Sequence, residues 1–254
     1  MKVNLFWTLL NKEWTEQLRS GRLVILLAVF LFFGISSPLL AKFIPDMLPS
    51  LMKGQGIVFQ MPPATWQDAM AQFVKNLSQV GLFVVILLSM GSVAKEKENG
   101  TASFLLVKPV SRNLFILSKF SAQLLILFIA QVVGFLAMVF YTKVFFGAFP
   151  IIPFVESTLV VFLYLTVIQF ITILFSVLMK TQIAAGLLAF VTSIVFSGIS
   201  MLGKPGLFSP GHLLDEIQNM LKDNPLNWEP FVGSLVIVFC CVTVAVTSFR
   251  KWES

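Results

Sequence analysis

Charged side chains are scarce in this 254-residue sequence, where they make up 12% of the residues. Hydrophobic residues make up 57%, and the mean hydropathy is +0.90. A soluble domain carries about 25% charged and about 45–50% apolar residues. Tyrosine is scarce as well, since 27 Phe stand against 2 Tyr, which suits rings that face lipid and need no partner for a hydroxyl group. The composition therefore indicates an integral membrane protein.

Cysteine and histidine are nearly absent, and this argues against metal and hydrolytic chemistry. Cys240 and Cys241 are adjacent in an apolar run, where neighbours on one helix do not readily bridge each other and no metal-ligand spacing exists. The one histidine, His212, lies in a Pro- and Gly-rich connection and is interpreted as a turn residue. One histidine cannot complete a zinc site, and no Gly-x-Ser-x-Gly elbow is present. We expect no catalytic residue and no metal site.

A partial match to a phosphate-binding loop begins at Gly198 and continues to Lys204. The next position is Pro205, where a phosphate loop needs Ser or Thr to hold magnesium. The match also follows an apolar run instead of a strand that leads into a soluble helix. We therefore expect that this chain binds no nucleotide or other cofactor of its own.

Six stretches are long and apolar enough to cross a bilayer, which takes about 20 helical residues. They predict an all-α membrane protein whose residues 1–254 form a single transmembrane domain. The start of the second stretch is the least defined, because Lys75, Asn76 and Gln79 interrupt it. The predicted spans are residues 22–42, 76–98, 112–142, 154–179, 182–202 and 230–250.

The distribution of Lys and Arg predicts the orientation of these spans. If the N-terminus is inside, twelve of the 18 basic residues lie on the inner side and six on the outer side. Inner connections carry the excess of basic residues in membrane proteins. Both termini are therefore predicted to be cytoplasmic. The same rule accounts for the net charge of +6, so no nucleic-acid partner is needed to explain it.

Residues 1–20 predict a separate amphipathic helix. One face is apolar and includes Trp7 and Trp14, and the opposite face is polar and includes Lys12, Glu13 and Glu16. Such a helix lies flat in the membrane interface, with its tryptophans at headgroup depth. A simple membrane anchor remains an alternative from periodicity alone.

Two outer connections, from Lys42 to Asn76 and from Gly203 to Pro230, are longer than a simple link requires. In the first, Thr65 and Asp68 have the spacing of a helix cap. In the second, apolar residues recur at helical spacing and predict a short amphipathic helix on the outer surface. These residues are Leu213, Leu214, Ile217, Met220 and Leu221.

No Asp or Glu lies in the core of any predicted span. Proton-coupled carriers use intramembrane carboxylates or histidines as relays, so the sequence indicates that energy enters from elsewhere. Gln169 and Thr172 are polar residues of the fourth span that are candidates to line a path. For Gln169 a hydrogen bond between helices is the favoured interpretation.

The fifth span carries small residues at every fourth position, which allows two helix backbones to approach closely. This stripe fits packing within one subunit or across a dimer axis, and the sequence leaves both open. It consists of Ala185, Ala189, Ser193 and Ser197.

The segment 95–112, between the second and third spans, is charged and rich in turn residues, so it must face water. Asn99 and Gly100 are placed to end the second span, and Thr101 to cap a short helix that continues to Val107. Pro109 then ends that helix. A short helix with exposed apolar residues fits a groove in a soluble partner, although a solvated loop is the simpler alternative.

This segment resembles the type-2 ABC exporter permeases, which are bacterial membrane subunits of ATP-driven transporters. The resemblance is detailed in this segment and covers the rest of the chain only in layout. This chain has Ala102-Ser103 where many relatives have Leu-Glu, so its segment is less acidic than theirs. The shared residues are Glu96, Glu98, Gly100, Thr101, Leu105, Leu106, Pro109, Val110, Ser111, Arg112 and Lys119.

The resemblance implies a permease subunit in the bacterial cytoplasmic membrane, in contact with lipid. Its implied partners are a separate ATPase subunit, which binds ATP and magnesium, and a second permease subunit that is identical or related. A membrane receptor or scaffold whose loop binds a regulator is the alternative from a different class. The residues implied to contact the ATPase are Glu96, Glu98, Gly100, Thr101, Phe104, Leu105, Leu106, Pro109, Ser111 and Arg112.

Overall fold

The computed structural model describes residues 2–52, 63–100, 111–221 and 225–250, and every regular element in these ranges is a helix. Six helices are long and apolar enough to cross a membrane. This confirms the predicted all-α membrane protein with six spans. Spans 1 to 6 are Arg22–Pro45, Trp66–Glu98, Arg112–Phe146, Ile151–Leu178, Gln182–Ser200 and Glu229–Arg250.

Two further α-helices accompany the spans. The N-terminal helix, Lys2–Arg19, ends where Gly21 adopts a φ of +72°, a conformation that glycine adopts without steric cost. The short helix, His212–Leu221, packs on span 4 and buries Leu213 and Ile217. Both helices were predicted from their amphipathic patterns, and both are present. Their positions relative to a membrane surface stay predictions.

Helices extend into the predicted connection 42–76 from both ends. The first helix continues past residue 42 as far as Met52, and span 2 begins at Trp66 instead of residue 76. The turns from Trp66 to Asn76 are amphipathic, and they bury Met70 and Phe73 against the other helices. Packing of this apolar face stabilises helix that the hydropathy of the segment alone does not predict.

The predicted cap at the start of span 2 is confirmed. The backbone N–H of Thr65 donates to Asp68 Oδ2 at 2.8 Å, and the Thr65 hydroxyl donates to the same oxygen at 2.7 Å. The carboxylate therefore stabilises the first turn of the helix, whose N–H groups would otherwise lack partners.

Span 2 is not a uniform α-helix. Residues Trp66–Asn76 are followed by a π-helical turn at Leu77–Gly81 and by α-helix at Leu82–Ser89. Residues 90–93 form turns, and the helix resumes at Ala94–Glu98. Departures from α-geometry inside a helix often mark functional positions.

Spans 1 and 3 pack closely where two glycines face each other. A Cβ atom added to Gly34 would lie 2.4 Å from the carbonyl oxygen of Gly134, and one added to Gly134 would lie 2.9 Å from the carbonyl oxygen of Phe30. Only glycine allows the two backbones this separation. Small residues at helix interfaces are characteristic of membrane bundles.

Three of the four small residues of span 5 lie inside the chain, where span 5 contacts spans 2 and 4. Ala185, Ala189 and Ser193 are buried, whereas Ser197 is exposed. The stripe therefore serves packing within one subunit for its first three members. A dimer axis along this stripe is not supported for them, because those three side chains already have partners in the same chain.

Candidate coupling site at one end of the helix bundle

The predicted coupling residues divide into two groups. Glu96, Glu98, Gly100, Ser111 and Arg112 belong to the described part of the chain and flank the centre of the segment 95–112. The other predicted residues lie outside the described residues; they are Thr101, Phe104, Leu105, Leu106 and Pro109. The geometry of the site is therefore built from its two flanks.

The first flank is the end of span 2. The helix Ala94–Glu98 stops at Asn99, and Gly100 follows with a φ of +67°. This is the left-handed conformation that commonly ends a helix. Glu98, Asn99 and Gly100 are all exposed. The predicted helix stop at Asn99-Gly100 is thus confirmed.

The second flank is the start of span 3. Ser111 caps the helix, because its Oγ accepts a hydrogen bond from the backbone N–H of Leu114 at 3.4 Å. Arg112 Nη1 donates to the backbone carbonyl of Arg250 at 2.7 Å, and Arg250 Nε donates to Asn113 Oδ1 at 2.7 Å. The start of span 3 and the end of span 6 therefore lie at the same end of the bundle.

A buried cation joins this end of the bundle together. Lys119, on span 3, is 2% exposed, and its Nζ donates to Glu13 Oε2 at 3.0 Å and to Glu96 Oε1 at 2.9 Å. The Phe115 ring lies 4.9 Å from the same nitrogen. One ammonium group thereby connects the N-terminal helix, the end of span 2 and span 3. We call Lys12, Glu13, Glu96 and Lys119 the Lys119 cluster.

Lys12 completes the charge balance of the cluster. Its Nζ lies 3.1 Å from Glu13 Oε1 and 3.7 Å from Glu96 Oε1, so two cations face two carboxylates. Burial raises the pKa of Glu13, but Lys119 and Lys12 outweigh it, and the pKa of this carboxyl lies below its ordinary value. Glu13 is therefore ionised at neutral pH, as an ion pair requires.

Three carboxylates approach one another here, but we assign no metal ion to them. Oxygens of Glu13, Glu16 and Glu96 lie within 4.8 Å of one another. The ammonium group of Lys119 already supplies positive charge to two of these three side chains. The ion pairs account for the proximity of Glu13 and Glu96.

The cluster corrects the predicted placement of Glu13. The sequence placed it on the polar face of a helix that contacts lipid through its other face, yet Glu13 is 2% exposed and faces span 3. Gln17, one turn further along, is also buried. Trp7, on the apolar face, is exposed. Glu13 thus holds the N-terminal helix against the bundle through its ion pair with Lys119, while Trp14 of the apolar face packs against the hydrophobic core.

The break in span 2 is held by span 4. Ser176 Oγ accepts hydrogen bonds from the backbone N–H groups of Val93 and Ala94, both at 2.9 Å. Lys97 Nζ donates to the backbone carbonyl of Val177. Span 4 therefore satisfies backbone donors at the break and also binds the last turn of span 2.

The two polar residues that were candidates to line a path form hydrogen bonds within the chain. Gln169 Nε2 donates to the backbone carbonyl of Gln123 at 3.1 Å, which joins spans 4 and 3. Thr172 Oγ1 donates to the carbonyl of Ile168 within its own helix at 2.7 Å. Both side chains are buried. These contacts agree with the favoured interpretation of Gln169 as a link between helices.

Comparison with known proteins identifies the family. The profile of the ABC-2 family transporter proteins matches residues 7–222, which include the whole Lys119 cluster. The chain belongs to this ABC-2 family. The resemblance seen in the segment 95–112 is thereby confirmed. Members of the family are membrane permeases of ABC transporters, and they are typically non-catalytic, with the ATPase as a separate subunit.

Two relatives of this ABC-2 family chain match it over different lengths. An uncharacterized transmembrane protein YxlG of Bacillus subtilis is 24% identical over 262 aligned positions, which cover 100% of both chains. A probable ABC transporter permease protein NosY of Pseudomonas aeruginosa is 32% identical over 133 positions, which cover 51% of this chain and 42% of the relative. The second relative is itself named as a probable ABC transporter permease, which agrees with the family match.

Sequence reasoning missed two residues of this ABC-2 site, Glu13 and Ser176. A signal for Glu13 was available, because Lys119 lies inside an apolar span and a buried cation requires an acidic partner. Ser176 carried no such signal. A serine in an apolar helix most often bonds within its own helix, and the break that it satisfies at Val93 has no obvious sequence mark.

Proposed function

We propose that this chain is the permease subunit of an ATP-driven exporter and that it binds a separate ATPase through the segment 95–112. The observation that carries the proposal is the position of the two flanks. Exposed Glu98 and Gly100 on one side and exposed Ser111 on the other lie beside Glu96, Lys97 and Arg112, which bond to spans 3, 4 and 6 respectively. A partner bound between the flanks acts on several spans at once.

The ATPase partner supplies the energy in this proposal, with ATP and magnesium bound on that subunit. Two copies of this chain, or this chain with a related one, form the path through the bacterial cytoplasmic membrane. Both termini face the cytoplasm, in line with the excess of basic residues on that side. Closure of two ATPase subunits around ATP moves the segment 95–112, and the spans tilt in response. The outward direction of transport follows the resemblance to exporters.

The experiment replaces the apolar residues of the segment that are proposed to contact the ATPase. Phe104→Asp together with Leu105→Asp is expected to leave insertion unchanged and to abolish co-purification with the ATPase, since two carboxylates do not enter an apolar groove. The matched control is Leu226→Asp with Trp228→Asp, an exposed apolar pair in the connection before span 6. The control is expected to retain the ATPase. Unchanged co-purification of the Phe104 and Leu105 variant would contradict the proposal.

A further inference from the structure

We propose that Lys119 is a positioning residue, which fixes the N-terminal helix and the end of span 2 to span 3 so that the three move together. This inference rests on the function proposed above. It identifies the Lys119 cluster as the contact through which movement of the segment 95–112 reaches the rest of the chain. The two acceptors of Lys119 come from different elements, Glu13 from the N-terminal helix and Glu96 from span 2.

The position of Lys119 places the contact inside the bundle and not at its surface. Lys119 lies seven residues after Arg112, which starts span 3, so at 1.5 Å per residue it is about 10 Å along the helix. Glu96 lies two residues before the end of the helix Ala94–Glu98. A displacement of that helix therefore acts directly on span 3.

The environment makes the contact difficult to open. Lys119 and Glu13 have side chains only 2% and 3% exposed, so separation of the pair would leave an unpaired charge in an apolar region. Removing one partner of a buried pair is costly, whereas the net gain from the intact pair is small. The pair therefore sets geometry more than it adds stability. A fixed contact between the N-terminal helix and span 3 allows movement of one helix to be transmitted to the other.

The neighbouring charges do not replace Lys119. Lys12 contacts both Glu13 and Glu96, but its side chain is 40% exposed and keeps much of its hydration. Glu16 lies within 4.8 Å of the other two carboxylates and adds negative charge on the same side. Only Lys119, among the cations of this cluster, belongs to a membrane span. It is therefore the cation that ties the cluster to span 3.

The break in span 2 determines which helices receive the movement. Helix Ala94–Glu98 is separated from the helix Leu82–Ser89 by the turns at residues 90–93. Across the break, it is held by Ser176 of span 4 and by Lys119 of span 3. Movement of the segment 95–112 is therefore passed to spans 3 and 4 through these contacts, and less through the interrupted backbone of span 2.

The test uses a neutral variant that removes the charges without leaving one buried and unpaired. It combines Glu13→Gln with Lys119→Met and keeps Glu96, which belongs to the proposed ATPase contact and still faces Lys12 at 3.7 Å; its matched control is Lys119→Arg. Spin labels are placed on Asn11→Cys and Phe140→Cys, which are exposed positions, after Cys240→Ala and Cys241→Ala. Asn11 lies on the helix whose Glu13 contacts Lys119, and Phe140 lies about 30 Å beyond Lys119 along span 3 at 1.5 Å per residue. The distance between the two labels is therefore suited to double electron–electron resonance.

The purified permease gives the first result, with no ATPase present. Labelled chains are diluted with unlabelled chains so that only distances within one subunit are measured. A single narrow distance distribution is then expected for the chain with Lys119 and for the Lys119→Arg control, because both keep a cation between the two carboxylates. A broad distribution is expected for the neutral variant, because its N-terminal helix is no longer fixed to span 3. An equally narrow distribution in the neutral variant would overturn the proposal.

The complex with the ATPase gives the second result. Addition of ATP and magnesium is expected to shift the distance with the cluster intact, and the neutral variant is expected to lose this shift while the ATPase stays bound. A normal shift in the neutral variant would show that movement passes elsewhere and would overturn transmission through Lys119. Failure of the wild-type chain to bind any ATPase overturns the proposed function instead, and the distances in the free permease still decide the positioning role.

Discussion

The hydroxyl group of Ser176 accepts a hydrogen bond from the backbone N–H of Val93 at 2.9 Å. It accepts a second bond from the next N–H along the chain, so one side chain of span 4 satisfies two donors at the break in span 2. An unpaired backbone group costs several kcal/mol in a membrane interior. The break is therefore compensated by a specific partner on span 4.

Ser176→Ala tests this compensation. The variant leaves the N–H groups of Val93 and Ala94 without their acceptor, and we expect it to lose about 1–3 kcal/mol of stability, measured by unfolding of the purified protein in detergent. The matched control is Ser200→Ala, whose hydroxyl donates to the carbonyl of Ser197 in its own helix. The control is expected to stay within about 0.5 kcal/mol of wild type. Equal effects of the two substitutions would contradict the assignment.

Gly34→Ala tests the close approach of spans 1 and 3. The added methyl group would lie 2.4 Å from the carbonyl oxygen of Gly134, so the backbones must separate, and we expect a loss of about 1–3 kcal/mol. Gly198→Ala is the control, because nothing lies within 4 Å of its added Cβ atom. An alanine in an open helix position gains up to about 1 kcal/mol over glycine. The two substitutions are thus expected to change the unfolding temperature in opposite directions, and a rise for both would show that spans 1 and 3 are not in close contact.

The ion pair of Glu13 predicts an acid-dependent loss of stability. Because the pKa of Glu13 in the folded protein lies below its ordinary value of 4.5, the pair contributes fully above that pH and is lost as the pH falls through the lower, folded value. The stability difference between wild type and Glu13→Gln is therefore expected to be constant from about pH 6 to 8 and to shrink below pH 4.5. Thermal unfolding at a series of pH values measures it. Gln17→Ala, a buried neutral neighbour on the same helix, should show a difference that does not change with pH, and a similar result for Glu13→Gln would exclude the pair.

The orientation of the chain is tested by labelling single cysteines after Cys240→Ala and Cys241→Ala. Asn99→Cys lies in the exposed turn after span 2, and Trp228→Cys lies in the exposed connection before span 6. We expect a membrane-impermeant thiol reagent to label Asn99→Cys only in inside-out vesicles and Trp228→Cys only in right-side-out vesicles. The reverse pattern would place the segment 95–112 on the outer face and remove it from any cytoplasmic ATPase.

Hydropathy was sufficient to find the six spans, because burial in lipid imposes a long apolar run whatever the neighbouring helices are. It did not reveal the helical turns from Trp66 to Asn76 at the start of span 2. There Asp68, Gln72 and other polar residues lower the hydropathy, while the buried face that contains Met70 and Phe73 stabilises the helix. That stabilisation depends on contacts with distant residues, which a local average cannot represent.

Local chemistry predicted the caps and helix stops well. Thr65 with Asp68, Ser111, and Asn99-Gly100 all act within a few residues of their own position. Glu13 was misplaced because periodicity separates polar from apolar faces but does not show which polar residue meets a buried partner. Lys119 is 106 positions away in the chain. The contact exists only once the N-terminal helix packs on span 3.

Photo-crosslinking from position 104 tests most directly whether the segment 95–112 binds an ATPase. A photoreactive amino acid replaces Phe104 in cells that contain the ATPase, and the same amino acid at Phe140, an exposed position on span 3, serves as the control. We predict a crosslinked product of the permease and the ATPase from position 104 and none from position 140. Absence of that product from position 104, with the ATPase present in the same membranes, would contradict the account.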